Sequence, residues 1–117
     1  MSPHLVTPEM SAAMAVVDAA PIEDIVGSLL RRAERALQRA LDAQFEALNA
    51  TLAEKLALSL AAVDAVKQCT RLCRGVITLA EGSQAAHAAV LMLERTTPLG
   101  LWARRAVDSL REEMPDA

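Results

Sequence analysis

The feature that most limits the fold of this chain is the spacing of its apolar side chains. From Ile22 the series Val26, Leu29, Ala33, Leu37, Leu41, Phe45, Leu48 returns every three or four positions, while Arg31, Arg35, Arg39, Asp42 and Glu46 gather on the other side. That is the period of an amphipathic helix. No stretch alternates apolar with polar residues for long enough to make a strand. Composition points the same way: hydrophobic residues make up 53% of the 117 and aromatics only 2%, with Phe45 and Trp102 as the only large rings. The apolar share therefore rests on Ala and Leu, strong helix formers. Four Gly and five Pro are too few for the closely spaced turns of an all-β chain. A chain of 12.5 kDa has room for one core, so a single all-α domain is expected.

Helix punctuation divides the chain. Residues 1–7 have no period and are expected to be a loose tail before one domain over 8–117. Thr7, Pro8 and Glu9 suit a helix start, giving an accessory helix over 8–19 with Met10, Met14 and Val17 as its stripe. Pro21 is expected to end that helix and open a long rod, with Glu23 and Asp24 in its first turn. At 49–51 the sequence allows either one continuous helix or a break. Asn49 can close a helix and Thr51 with Glu54 spells a capping box. A break is favoured because Leu52, Leu56, Leu60 and Val63 form one face of the next segment while Leu58, Ala65, Leu72 and Val76 form another. A segment apolar over so wide an arc belongs in the middle of a bundle. Glu81, Gly82 and Ser83 supply a stop and a new cap, and Thr96, Thr97 and Pro98 are expected to break the last rod into 84–95 and 98–113. The expected fold is all-α: a long antiparallel helical hairpin over 21–81, a third rod broken at Pro98 and a short N-terminal helix, forming an elongated helical bundle.

Charge and cysteine usage narrow the setting. Twelve basic against fifteen acidic residues give a net charge of −3, so no overall positive field favours nucleic acid. Two cysteines four positions apart do not make a disulfide framework, and residues 1–20 lack the Lys or Arg that opens a signal peptide. A cytoplasmic setting is expected. The longest uncharged apolar run, residues 85–93, is about half of the ~20 residues a membrane span needs.

Few residues invite chemistry. Cys69 and Cys73 share a helix side, as two ligands of a soft metal would, and Lys67, Arg71 and Arg74 could lower a thiol pKa. Antiparallel pairing about Gly82 leaves His87 roughly one turn from the nearer thiol, outside a shared coordination shell. Free cysteine is among the most buried residue types, so the pair is expected in the core, with a thiol or metal sensor as the competing reading. Arg31, Arg32, Arg35 and Arg39 interleave with Glu34, Asp42 and Glu46 at helix-neighbour spacing, as on a solvated face. A helix-turn-helix over 84–95 and 98–113 would place Arg104, Arg105 and Arg111 on its second helix, but Asp108, Glu112 and Glu113 beside them repel phosphate. Gln44 falls on the apolar side of the long rod, either to fix register or to reach water at the stripe's edge. No nucleophile elbow, Gly-rich loop or HExxH is present, so no catalytic residue and no cofactor is expected.

What remains is apolar surface in excess of what an elongated bundle can hide. The expected function is a non-enzymatic helical interaction module, binding itself or a partner helix through Leu52, Leu56, Leu58, Leu60, Val63, Leu72 and Val76. A Cys69/Cys73 sensor is the second reading and a small DNA-binding regulator the third. In outline the plan is similar to those of small export chaperones, phasin-like coat proteins and coiled-coil adaptors, with no shared motif to carry residues across.

Overall fold

The computed structural model of the protein describes residues 8–114, with side chains from residue 22 onward. Three helices account for it: α1 (Pro8–Ala47), α2 (Leu52–Leu79) and α3 (Gln84–Glu113). They form an elongated antiparallel bundle. Helix α2 lies between the other two, which pack chiefly on it and less on each other.

The turns follow local chemistry. Helix α1 stops at Ala47, and Thr51 opens α2 with a complete capping box: its hydroxyl accepts from the Glu54 N–H while the Glu54 carboxylate accepts from the Thr51 N–H. Asn49 does not take the left-handed conformation foreseen for it, since Gly82 alone among the described residues has positive φ. At the second turn Gly82 (φ 80°) reverses the chain and Ser83 caps α3 by accepting from the Ala86 N–H.

Both prolines expected to break helices lie inside them. Helix α1 runs through Pro21, so the separate short N-terminal helix ending there is not supported; its stripe of Met10, Met14 and Val17, and the tail 1–7, lie outside the described residues. An interior proline removes one ladder hydrogen bond without forcing a stop, and Ala19 and Ala20 just before Pro21 favour continuation. Pro98 likewise sits within α3, so the third rod is not broken. Two adjustments explain it. Thr96 and Thr97 each donate a hydroxyl hydrogen bond to the Leu93 carbonyl, tying both side chains to the turn before the proline. Burial also continues past it in one register, through Met92, Thr96, Leu99, Ala103, Val107 and Leu110. Both halves of α3 gain more by packing on one partner than a local break would offer.

The core is a seam of small side chains. On α1 it runs Ala33, Ala36, Ala40, Ala43, Ala47, with Val26 and Leu37 beside them; on α2 Ser59, Ala62, Ala65, Cys69, Cys73, Val76, with Leu72 beside them. Such residues let helix axes approach closely, and the limit is visible at Gly100, where an added Cβ would lie 3.2 Å from Val66 Cγ1. The stripe read for α1 is core at Val26, Ala33 and Leu37, with Leu29 and Leu41 packed against it, and departs from the core only at Phe45 and Leu48. Successive steps of four from Ala33 through Leu37 and Leu41 to Phe45 advance about 40° each around a helix and carry the stripe off the α2 face. Alternating steps of three and four hold it there.

Candidate functional site

Because α1 and α3 pack mainly on α2 and only lightly on each other, open clefts lie along the line where they meet. The α1 wall of this groove is made by Leu37, itself buried in the core, by half-buried Leu41, and by the exposed Phe45 and Leu48. Its α3 wall includes Leu91, Arg95, Pro98, Trp102 and Ala106. Helix α1 is therefore apolar on two sides, with alanines on α2 and larger residues on the groove. The groove follows residues 34–48 of α1, about 20 Å. It widens toward the α1–α2 turn into a cleft of about 900 Å³, floored by Lys55 and Ser59 of α2. On its lip Phe45 is 75% and Leu48 69% exposed.

Ser59 is the unusual residue of the cleft. It is 1% exposed and its hydroxyl has no hydrogen-bond partner. A buried unpaired hydroxyl costs about 1–3 kcal/mol, and the neighbouring seam positions Ala62 and Ala65 show that alanine fits the same packing. Thr78, Thr96 and Thr97 return their hydroxyls to a carbonyl of their own helix; Ser59 does not. On the outer rim Gln38 donates to Asp42 at 2.8 Å, and both are exposed. Gln44, the polar residue of the α1 stripe, is half-buried and lines the cleft and its narrower continuation.

The α2 arc expected to bind partners is not one exposed face. Leu72 and Val76 are buried in the core, Leu56, Leu58 and Val63 are half-buried, and Leu52 and Leu60 are exposed. The central helix spends its wide arc on two neighbours, so the free apolar surface passes to α1 and α3. Phe45, Leu48, Trp102, Lys55 and Ser59 were not singled out as a site. A usable signal was the pair of interleaved stripes in α1, one small and one large.

Cys69 and Cys73 lie in the core with no exposure, their sulfurs 4.0 Å apart. Burial pushes the Cys69 thiol up, opposed by its hydrogen bond with Cys73 and by Arg95 of α3. Burial together with the neighbouring Cys69 pushes the Cys73 thiol up to about 12. Lys67, Arg71 and Arg74 are exposed and do not act as the activating cations foreseen for them. His87 is exposed, and among the described residues no group of three His, Cys, Asp or Glu is placed to hold a metal. Such thiols are poor nucleophiles and poor metal ligands.

The other basic groups stay on the surface. Arg31, Arg32, Arg35 and Arg39 are exposed, and Arg39 donates to Gln68 of α2 at 2.6 Å. Arg104, Arg105 and Arg111 are exposed beside Asp108, Glu112 and Glu113. Because α3 is continuous, the turn that a helix-turn-helix needs between 95 and 98 is not there. No described helix is long and apolar enough to cross a membrane. Comparison with known proteins finds no matching family model, no matching curated protein and no matching solved structure.

Proposed function

We propose that this chain is a non-enzymatic, cytoplasmic interaction module, adaptor-like or chaperone-like, whose α1–α3 groove takes one amphipathic helix from a protein partner. The observation that carries the reading is the exposure of Phe45 and Leu48 on the lip of an apolar groove about four helical turns long. A helix laid there would touch α1 and α3 and complete a four-helix bundle, burying its own apolar face in the process. The rim favours a helix with basic residues toward α1, where Glu34 and Asp42 stand, and an acidic one toward Arg95 of α3. All three described helices are already packed in the bundle, which makes another protein a better donor than a second copy.

The test places a photo-crosslinking amino acid at position 48 in the native host and maps the products by mass spectrometry, with sedimentation equilibrium of the purified chain alongside. The expected result is a monomer that crosslinks to one amphipathic helical segment of a single partner, the adduct disappearing with Phe45→Glu. A dimer crosslinked to itself would replace the partner with a second copy. A monomer with no discrete adduct would overturn the reading.

A further inference from the structure

We infer that the wide end of the groove is a binding site for a long-chain carboxylate. The unpaired, 1%-exposed hydroxyl of Ser59 belongs to a cleft that is apolar at Leu41, Phe45 and Trp102 and polar at Gln44 and Ser109, and no described residue supplies it with a partner. Lys55 lies one turn earlier on α2, on the same side, and lines the same cleft. A hydroxyl and an ammonium one turn apart are a donor pair suited to the two oxygens of a carboxylate.

The register says which way such a molecule lies. Leu29 is the neighbour of Gly75 and Arg39 bonds Gln68, so Ser59 is level with about Leu48 of α1. Val66 meets Gly100, so Ser59 is also level with about Val107 of α3. The donor pair therefore sits at the end of the bundle, with Lys55 outermost beside the α1–α2 turn. From there the groove leads inward past Trp102 and Leu41 to Leu37 and Leu99, about 15 Å. The head group meets donors at the mouth while the acyl chain replaces water along the apolar walls. Asp42 is the nearby opposing charge; it stands on the outer rim, exposed and bonded to Gln38. The site shares the groove with the helix reading without resting on it, and the two occupants compete for the wide end.

Trp102, the only tryptophan, lines the cleft and reports on it directly. The full chain is titrated with dodecanoate, dodecanol and dodecylamine below their aggregation concentrations, and Trp102 emission is read. Dodecanoate is expected to give a saturable change at the lowest concentration. Ser59→Ala and Lys55→Met should each weaken it about tenfold and leave dodecanol unchanged, with far-ultraviolet circular dichroism showing the helices intact. Ala106→Phe should abolish binding of acid and alcohol together. The inference is overturned if dodecanoate gives no saturable change, if the three amphiphiles act alike or the amine binds best, or if dodecanoate binding ignores both Ser59→Ala and Lys55→Met. None of these outcomes bears on whether position 48 crosslinks to a partner helix.

Discussion

Cys69 and Cys73 combine two core roles, filling the seam between α1 and α3 and keeping their protons. Burial raises both thiols, Cys73 to about 12, above an ordinary value near 9.0. The sign follows from proton counting. From about pH 9, and for Cys73 up to about 12, the unfolded chain gives up its thiol proton while the folded chain keeps it, so stability present at lower pH is lost as pH rises through that window; Cys69 adds in the same direction. The loss approaches ~1.4 kcal/mol per pH unit for each thiol that differs fully between the two states. Unfolding by urea at stepwise pH should show this extra slope in the natural chain and not in Cys69→Ala/Cys73→Ala. Identical slopes would mean that the thiols ionise in place. The two positions were legible as core residues from free cysteine's preference for burial. The orphaned hydroxyl of Ser59 was not, because serine in a helix ordinarily bonds its own backbone or water and nothing in its neighbours' identity marks an exception.

At the level of the helices, caps and prolines teach opposite lessons. A cap is satisfied within a few residues, so Thr51 with Glu54 and Ser83 with Gly82 act as their local sequence suggests. A proline's effect depends on what both sides of the helix gain by staying in register, which no window of a few residues contains; hence α3 crosses Pro98. Gly75 separates local from tertiary effects more cleanly. It is helical, and an added Cβ would find Leu29 Cδ1 at 3.8 Å, an ordinary contact. Gly75→Ala should therefore stabilise the chain by ~0.5–1 kcal/mol through helix propensity and the narrower unfolded ensemble. Gly100→Ala, facing Val66 at 3.2 Å, should gain less or lose. Thermal unfolding of the two variants side by side checks the ordering, and equal gains would mean that the α2–α3 contact is looser than it stands here.

Across the described residues, α1 and α3 pack chiefly on α2 and lightly on each other, which leaves an apolar cleft open, and that geometry decides which substitutions matter to folding. Phe45→Glu with Leu48→Glu removes large side chains that are mostly solvent-exposed, so the unfolding midpoint should move little. Binding of a hydrophobic dye should fall sharply, since those residues form the lip of the widest cleft. A large stability loss would instead make the pair part of the core. Exposure of Ile22 and Ile25 has a different origin: with Gly75 beside Leu29, α2 ends level with about Ile25, so these two side chains stand at the end of the α2 face.

Helical class, the turn at 48–51 with its capping box, the reversal at Gly82 and the central place of α2 were all readable along the chain, because periodicity and caps are short-range properties. The order of layers settled the rest. Once α2 takes a neighbour on either side, Leu72 and Val76 are consumed as core, and alanines join Val26 and Leu37 as the α1 contribution because closely spaced axes favour small side chains. The larger residues Leu41, Phe45 and Leu48 line the cleft, where Trp102 and Ser59 meet them from the other two helices. Each of those residues has the same local pattern whether it faces a neighbour or an opening; only the packing of three helices around one seam decides between them.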